Sequence, residues 1–386
     1  VLGAGMVGRV IAADLAADAD LRVTIADARP EALDQARALG ARLGRRVEVL
    51  RADLSDPRAL AQSVAPFDLV CGALSSGIAF SALRTVIEAG KPYCDISFMG
   101  ENAWDLDDLA RARGVTCIVD IGVAPGMSHA CAARGAALLD RCDALEIYVG
   151  GLPRERRWPF EYKAGFAPSD VIEEYTRPTR LVEHGRVVVR EALSEPELMD
   201  FPGVGTLEAF NTDGLRSLAH TYLGRVPHMK EKTLRYPGHI ELMRVLRAMG
   251  LFDQQPVATP SGTVHPRDLT SALMFPMWQY QPGEHDLTVM RVIARGEHHG
   301  RPAARRWDLL DFFDDATGCT SMARCTAFPC AIIAREVLHG RYRGPGGSGG
   351  VVVPERLGED PRVFDVLMQG LEQRGVRYRY AEEVTA

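Results

Sequence analysis

The chain has 386 residues, which at about 150 residues per domain predicts two or three domains. Hydrophobic residues make up 46% and charged residues 25%, a globular composition that excludes a disordered chain. The formal net charge of -6 offers no basic excess, which argues against binding to nucleic acid or to an anionic membrane.

The eight cysteines are scattered, without a CxxC pair or a short cysteine-rich block. Neither a zinc site nor a disulfide framework is therefore predicted. No apolar run approaches the roughly 18 residues of a membrane helix, and no signal peptide opens the chain. We expect a cytoplasmic protein without a metal site. Because only Val1–Leu2 precedes the first glycine, we also expect a few N-terminal residues to be missing.

The first 140 residues alternate short β-rich runs with amphipathic helical stretches. In the first helical stretch, Val7, Val10 and Ile11 share one side, which is the spacing of a helix packed on a sheet. This alternation predicts an α/β fold with a doubly wound parallel sheet of the Rossmann type. The predicted strands are Val1–Leu2, Leu21–Ala26, Val47–Leu50, Asp68–Cys71, Tyr93–Ile96 and Val115–Ile121. The predicted helices are 6–18, 30–44, 56–64, 77–90, 104–113 and 127–141.

The pattern changes after about residue 145, where longer β-like alternations are separated by Pro and Gly. Leu145–Val149 and Leu181–Arg190 are predicted strands. Leu287–Ala294 and Arg305–Phe312 flank the turn at 296–300 and predict a β-hairpin. Near the C-terminus, the predicted elements are a helix at Thr320–Leu338, a glycine-rich loop at 344–350, a helix at 361–374 and a strand at Val376–Tyr380.

This change of pattern predicts three segments. Residues 1–122 are expected to form an NAD-binding Rossmann domain. Residues 123–317 are expected to form an inserted α+β domain for substrate binding and oligomerisation. Residues 318–386 are expected to return and pack on the Rossmann domain.

Residues Gly3-Ala4-Gly5-Met6-Val7-Gly8 match the pattern G-x-G-x-x-G of dinucleotide-binding turns. Gly3 would make the tight turn, Gly5 would let the pyrophosphate approach the backbone, and Gly8 would let the helix pack on the strand. The N–H groups at the helix start, Met6 and Val7 among them, would face the diphosphate. The motif predicts dinucleotide binding by Gly3, Gly5, Met6, Val7 and Gly8.

Asp27 ends the next strand about 20 residues after the glycines, where an acid binds the ribose hydroxyls. Its carboxylate would repel a 2′-phosphate and so favours NAD, although Arg29 leaves NADP open. Asp53 is a candidate contact for the adenine, or alternatively a helix N-cap. The loop after the fourth strand would line the cofactor crevice with Ala73, Leu74 and Ser75.

Beyond the glycines, six segments of the sequence resemble the saccharopine dehydrogenase-like family, most closely its lysine 6-dehydrogenases. Together these segments span nearly the whole chain in the family's order. They are Val119–His129, Gly150–Pro153, Glu174–Pro178, Gly205–Gly214, Glu231–His239 and Gly350–Glu355.

The resemblance implies a Rossmann domain, an inserted domain with a mixed sheet, and NAD(P)-dependent making or breaking of C–N bonds in amino-acid metabolism. One departure concerns the substrate. Saccharopine-forming reductases typically carry a pattern like GLDPGIDH, whereas this chain has Ala124 and Ser128 in place of the two aspartates. That difference argues for a simpler amine than saccharopine.

Oxidising a primary amine requires that the ammonium first lose its proton, because it otherwise has no lone pair to help expel hydride. His239 and Lys232, both in the last inserted-domain segment, are the candidate bases. Lys232 is also a candidate to hold a carboxylate, and either residue could instead be structural. Asp95 ends the fifth strand, in the crevice by topology, and could bind the substrate amine.

Six further residues are candidates for binding the amino-acid substrate, each with a structural role as the alternative. Arg177 or Arg235 would grip the α-carboxylate, and Asp213 or Glu208 would take the α-ammonium. The remaining two are Tyr175, beside Arg177, and His129, in the first turn of a helix.

The sequence therefore predicts NAD-dependent oxidative deamination of the side-chain amine of L-lysine, giving a semialdehyde that cyclises to a piperideine. A saccharopine- or carboxynorspermidine-type NAD(P)H reductase is the first alternative. A non-catalytic NAD-binding sensor or scaffold is the second. A homodimer or homotetramer joined through the inserted domain is expected, because open sheet edges tend to pair.

Overall fold

In a computed structural model that describes residues 1–384, the chain divides into two compact units. The nucleotide-binding unit comprises Val1–Ala137 and Asp314–Tyr378. The inserted unit comprises Leu138–Phe313 together with residues 379–384. Within the described residues, no helix is long and apolar enough to cross a membrane.

The helices and strands are numbered in chain order. The helices are α1 (Gly8–Leu15), α2 (Pro30–Arg42), α3 (Pro57–Val64), α4 (Ser76–Glu88), α5 (Asp107–Ala112), α6 (Met127–Ala137), α7 (Pro168–Thr176), α8 (Arg216–Thr221), α9 (His239–Ala248), α10 (Pro266–Trp278), α11 (Ser321–Leu338), α12 (Pro354–Glu359) and α13 (Pro361–Gln373). The strands are β1 (Val23–Asp27), β2 (Val47–Arg51), β3 (Val70–Gly72), β4 (Tyr93–Asp95), β5 (Thr116–Ile118), β6 (Arg141–Pro153), β7 (Thr179–Glu183), β8 (Arg186–Arg190), β9 (Glu197–Phe201), β10 (Gly205–Asn211), β11 (His228–Arg235), β12 (Val257–Thr259), β13 (Gly262–Val264), β14 (Asp286–His298), β15 (Arg301–Phe312), β16 (Gly350–Val352) and β17 (Tyr378–Val384).

The sheet of the nucleotide-binding unit is parallel throughout. Leu2 makes parallel bridges to Ala26 in β1 and to Gly72 in β3, so it lies between these two strands. The order across the sheet is β2, β1, the segment at Leu2, β3, β4, β5 and β16. The predicted Rossmann fold is thereby confirmed, and the glycine turn follows directly from the central position.

The nucleotide-binding unit extends further along the chain than the sequence prediction placed it. Helix α6 belongs to this unit because it packs tightly on α12. A Cβ atom added to Gly358 in α12 would come within 2.1 Å of the carbonyl oxygen of Ala130 in α6. The returning segment begins at Asp314 and ends at Tyr378, after which β17 joins the sheet of the inserted unit.

The inserted unit is built on a mixed sheet of nine strands. Its main order is β17, β15, β14, β6, β11, β10 and β9, with β7 pairing with β11 and β8 with β7. Strands β14 and β15 form the predicted hairpin, and their pairing extends beyond the prediction at the turn end, to His298 and Arg301. The predicted single strand Leu181–Arg190 is wrong, because β7 and β8 form a hairpin that turns at His184 and Gly185, both with positive φ.

One face of this sheet is covered by helices α7, α9 and α10. Their inward side chains form a core rich in aromatic residues, which includes Tyr162, Tyr175, Phe210 and Trp278. Trp278 and Tyr175 are fully buried, and their rings meet edge to face with centroids 6.4 Å apart. The candidate substrate residues of the inserted unit lie on or beside this helical face.

Candidate active site

The glycine turn has the close backbone contacts that require glycine at its first and third positions. A Cβ atom on Gly3, whose φ is +91°, would lie 2.3 Å from the carbonyl oxygen of Ala73. A Cβ atom on Gly8 would lie 2.0 Å from the carbonyl oxygen of Gly3. Gly5 differs, because no atom lies within 4 Å of its Cβ position. The space beside Gly5 suits a ligand that approaches the backbone at the start of α1, where Met6 and Val7 lie.

Asp27 is fixed beside the glycine turn. Its carboxylate accepts hydrogen bonds from the backbone N–H groups of Ala4 at 2.8 Å and Arg29 at 2.9 Å. Partial burial alone would raise the pKa of Asp27, but these hydrogen bonds and the Arg29 guanidinium hold the pKa below its usual value. The Arg29 side chain lies 3.3 Å from the carboxylate and is 68% exposed. An ionised acid and an exposed arginine thus lie together at the end of β1.

Asp95 supports the loop that contains Ala73, Leu74 and Ser75. Its carboxylate accepts hydrogen bonds from the N–H and the hydroxyl of Ser97, and the Ser97 hydroxyl accepts one from the N–H of Leu74. Asp95 is fully buried. The structure thus gives Asp95 a positioning role behind this loop, rather than the direct substrate contact that the sequence suggested.

Asp53 is exposed and bonds to its own turn. Its carboxylate accepts hydrogen bonds from the hydroxyl and the N–H of Ser55, which lower its pKa. The alternative that Asp53 caps the following helix is wrong, because Asp56 caps α3 by accepting from the N–H of Arg58. As a possible adenine contact, Asp53 stays a prediction.

His129 is enclosed in the nucleotide-binding unit. Both His129 and Glu355 are fully buried, and its Nδ1 atom lies 3.7 Å from a carboxylate oxygen of Glu355. This buried pair joins α6 to α12. Substrate binding by His129 is therefore unsupported, because the side chain has no exposed surface.

In the inserted unit, a chain of hydrogen bonds links four residues from three elements. Arg235, at the end of β11, donates to Glu174 at 2.9 Å and to the Tyr175 hydroxyl at 3.2 Å, both on α7. The Tyr175 hydroxyl lies 2.9 Å from Nε2 of His239, the first residue of α9. Nδ1 of His239 lies 2.8 Å from the carbonyl oxygen of Phe160.

The direction of this chain fixes the protonation of His239. A carbonyl oxygen only accepts, so Nδ1 carries the proton and Nε2 accepts the hydrogen bond from Tyr175. Burial and the positive charge of Arg235 lower the pKa of His239 to about 3. His239 is thus neutral, and its lone pair is already occupied. The hypothesis that His239 is the base is therefore wrong for this arrangement.

Glu174 is the member of this cluster that the sequence analysis did not select. Burial raises the pKa of Glu174 to about 7, although the neighbouring Arg235 acts in the opposite direction. The side chain of Glu174 is 21% exposed. A carboxyl group that titrates near neutrality is suited to accept and return a proton. The only hint in the sequence is its place beside Tyr175 in a segment of the family resemblance.

Lys232 does not join this cluster, because side chains three apart on a strand point to opposite faces of the sheet. Its ammonium group donates to the carbonyl oxygen of Glu195 at 2.7 Å and pairs with Glu197 at 3.0 Å. Only 6% of the side chain is exposed. These contacts give Lys232 a structural role instead of the predicted catalytic one.

The remaining predicted substrate residues are also held by protein partners. Asp213 forms a bidentate pair with Arg180, at 2.8 and 2.9 Å, so its proposed contact with an ammonium group is unsupported. Glu208 accepts a hydrogen bond from the N–H of Gly238 at 3.3 Å, which supports the turn before α9. Arg177 follows α7 in an extended conformation, 3.7 Å from Glu173, with 23% of its side chain exposed.

Comparison with known protein families accounts for both units. Residues 1–118 match the saccharopine dehydrogenase NADP binding domain, and residues 122–376 match the saccharopine dehydrogenase C-terminal domain. The chain belongs to the saccharopine dehydrogenase family. It is thus an NAD(P)-dependent oxidoreductase of the class that acts on amine or amino-acid donors.

Two fungal relatives are distant from this chain in sequence but similar to it in length. The saccharopine dehydrogenase (NADP(+), L-glutamate-forming) of Schizosaccharomyces pombe is 22% identical, over 84% of this chain and 86% of the relative. The corresponding enzyme of Saccharomyces cerevisiae is 22% identical, over 97% of this chain and 96% of the relative.

Solved structures share the fold. The apo saccharopine dehydrogenase (L-Glu forming) of Saccharomyces cerevisiae has a TM-score of 0.79 at 20% identity, covering 100% of this chain and 99% of its own. The homospermidine synthase of Legionella pneumophila, solved with NAD, has a TM-score of 0.63 at 12% identity, covering 100% and 90%. The open space at Gly5 and the fixed carboxylate of Asp27 fit the nicotinamide dinucleotide that the family implies.

Proposed function

We propose that this member of the saccharopine dehydrogenase family oxidises the side-chain amine of L-lysine with NAD. The product semialdehyde would cyclise to a piperideine. The observation that carries the proposal is the placement of Glu174, whose carboxylate is held by Arg235 at 2.9 Å and remains 21% exposed beside Tyr175 of the aromatic core. Burial raises the pKa of Glu174 to about 7. A lysine amine has a pKa near 10.4 in water, so a base and apolar surroundings both favour the neutral form that reacts.

In this proposal, NAD bound at the glycine turn supplies the hydride acceptor. Glu174 accepts the proton that the ammonium group must lose. Arg235 holds the Glu174 carboxylate in place, and Tyr175 in turn is held between Arg235 and His239. Among the arginines that the sequence suggested for the substrate carboxylate, Arg177 suits the role better than Arg235. The Arg235 guanidinium already donates to Glu174, to Tyr175 and to the carbonyl oxygen of Leu234.

Two residues around the start of α6 support a primary amine rather than saccharopine as the substrate. Ala124 and Ser128 stand where saccharopine-forming reductases typically carry aspartates. Neither side chain can form an ion pair with the second amino-acid portion of saccharopine. A substrate with one amino-acid portion needs no such partner.

A panel of substrates tests the proposal. L-Lysine alone should produce NADH, measured at 340 nm, with a rate that rises as the pH increases from 7 towards about 10. Cadaverine lacks the α-carboxylate. It should bind much more weakly, because the protein's arginine that pairs with this carboxylate would be left unpaired. Ornithine should lose rate more than affinity, since its reacting carbon is misplaced by about one bond. Absence of lysine-dependent NADH at every pH, in protein that binds NAD, would refute it.

A second candidate is reductive C–N bond formation with NADPH. The names of the fungal relatives specify NADP(+), and Arg29 has an exposed side chain beside Asp27, where it could pair with a 2′-phosphate. This candidate predicts NADPH consumption only when an amine and a keto acid or aldehyde are both present. Assays of NADPH with lysine alone, with 2-oxoglutarate alone and with both together would distinguish the two reactions.

The choice of cofactor gives a further prediction. Asp27→Ser should narrow the preference for NAD over NADP by about 10- to 100-fold, because a charge-assisted hydrogen bond contributes about 1.5–3 kcal/mol. Binding of both cofactors should be measured by calorimetry. Asp34→Ser, at an exposed site on α2, is the control and should leave the ratio unchanged. Equal affinity of the unaltered protein for NAD and NADP would contradict the assignment of NAD.

Self-association through the inserted unit is also part of the proposal. Within the described residues, β8 pairs only with β7, and its Val187 and Val189 are 47% and 61% exposed. An open strand edge of this kind tends to pair or to be covered. Sedimentation should show a dimer or a tetramer at micromolar concentration, and Val189→Lys should shift it towards the monomer. A monomer of 42.2 kDa in the unaltered protein would contradict this prediction.

A further inference from the structure

The end of the β14–β15 hairpin brings two histidines and an aspartate together. His298 ends β14, His299 lies in the turn, and Asp140 immediately precedes β6. The side-chain ligand atoms of these three residues all lie within 4.8 Å of one another. Within the described residues, no other group of three His, Cys, Asp or Glu side chains meets this condition. This cluster lies entirely in the inserted unit and has no part in the proposed oxidation.

Backbone contacts hold the cluster together. The N–H of His299 donates to one carboxylate oxygen of Asp140 at 2.6 Å. The other oxygen lies 3.4 Å from Nδ1 of His298. The two imidazole rings have centroids 4.0 Å apart. Because the N–H of Asp140 also donates to the carbonyl oxygen of Glu297, at 2.9 Å, the aspartate is fixed against the hairpin on two sides.

The local charges leave the Asp140 carboxylate without a cationic side chain other than histidine. Arg141, the nearest arginine in sequence, pairs with Asp143 at 2.8 Å and with Glu297 at 2.9 Å. Among the described residues, no lysine or arginine pairs with Asp140, whose side chain is 56% exposed. Two imidazoles and one such carboxylate form the ligand set that zinc and related divalent transition metals prefer.

We propose that Asp140, His298 and His299 bind a divalent transition-metal ion, with Zn²⁺ as the reference ion, which fastens the hairpin end to the start of β6. Zinc bonds of about 2.0–2.2 Å place tetrahedral ligands about 3.3 Å apart. The three side chains would therefore close by about 1 Å or more, which their exposure permits. The fourth position would be open to water.

Calorimetric titration of the tag-free full chain with Zn²⁺ tests this site. We expect one bound ion with a dissociation constant in the micromolar range. His298→Gln, His299→Gln and Asp140→Asn should each weaken binding by about tenfold or more. His228→Gln is the matched control and should leave the affinity unchanged. Its ring lies 4.8 Å from that of His184, in a pair that belongs to no such three-residue group. The eight cysteines are buried and offer no competing surface thiolate.

A second measurement needs no variant. In the unaltered protein, Zn²⁺ should protect His298 and His299 from diethyl pyrocarbonate, with the modified sites identified by mass spectrometry. His184 and His228 should react with and without the metal. The proposal would be overturned by absence of saturable binding at millimolar Zn²⁺ or by wild-type affinity in either histidine variant. It would also be overturned if Zn²⁺ did not reduce the modification of His298 and His299.

Discussion

Gly5→Val is expected to abolish dinucleotide binding in a protein that remains folded. The Cβ position of Gly5 faces open space, with no protein atom within 4 Å, so a side chain fits the unliganded chain. The same side chain would occupy the space through which the pyrophosphate reaches the start of α1. Losing two charge-assisted hydrogen bonds at about 1.5–3 kcal/mol each would weaken binding by about 100-fold or more.

Gly8→Ala provides the contrast to this substitution. Its Cβ atom would lie 2.0 Å from the carbonyl oxygen of Gly3, so this variant should lower the melting temperature or fail to fold. Calorimetry with NAD and thermal unfolding separate the two effects. Gly5→Val should lose affinity at an unchanged melting temperature, and wild-type NAD affinity in this variant would show that the glycine assignment is wrong.

The nucleotide-binding unit could be predicted from the sequence because its determinants are local. The glycine spacing, the aspartate at the end of β1 and the alternation of strands with helices are all visible within about 30 residues. The hairpin of β7 and β8 could also be predicted from the sequence. His184-Gly185 places two positive-φ residues between two β-rich runs, which is a pattern typical of a two-residue turn.

The hydrogen-bonded cluster of Glu174, Tyr175, Arg235 and His239 could be predicted only in part, because it depends on contacts between distant segments. Arg235 and His239 belong to one recognisable segment, but their partner Tyr175 comes from another helix. The tautomer of His239 depends on the carbonyl oxygen of Phe160, which no sequence pattern indicates. Strand alternation places the side chains of Lys232 and Arg235 on opposite faces of the sheet. The sequence alone therefore indicates that these two residues cannot belong to the same cluster.

Glu174→Gln is expected to lower kcat by about 10²–10⁴-fold, the contribution typical of a general base. The amide keeps the shape of the side chain and an oxygen that can accept from Arg235, but it cannot take up a proton. Burial raises the pKa of Glu174 to about 7, so in the unaltered protein the reactive carboxylate form increases as the pH rises through 7. The variant should lack this rise in its pH–rate profile.

The neighbouring Glu173→Gln is the matched control, because Glu173 pairs with Arg177 and Arg267 outside the hydrogen-bond chain. Because Arg177 is also the proposed partner of the substrate carboxylate, this control is compared on kcat and not on KM. It should change kcat by less than about tenfold and retain the rise near pH 7. Binding of NAD should be the same in both variants, which separates loss of the base from loss of the cofactor. If Glu174→Gln kept both the wild-type kcat and the rise near pH 7, Glu174 would not be the base. Lysine-dependent turnover in that variant would leave the oxidation itself intact and require another group to accept the proton.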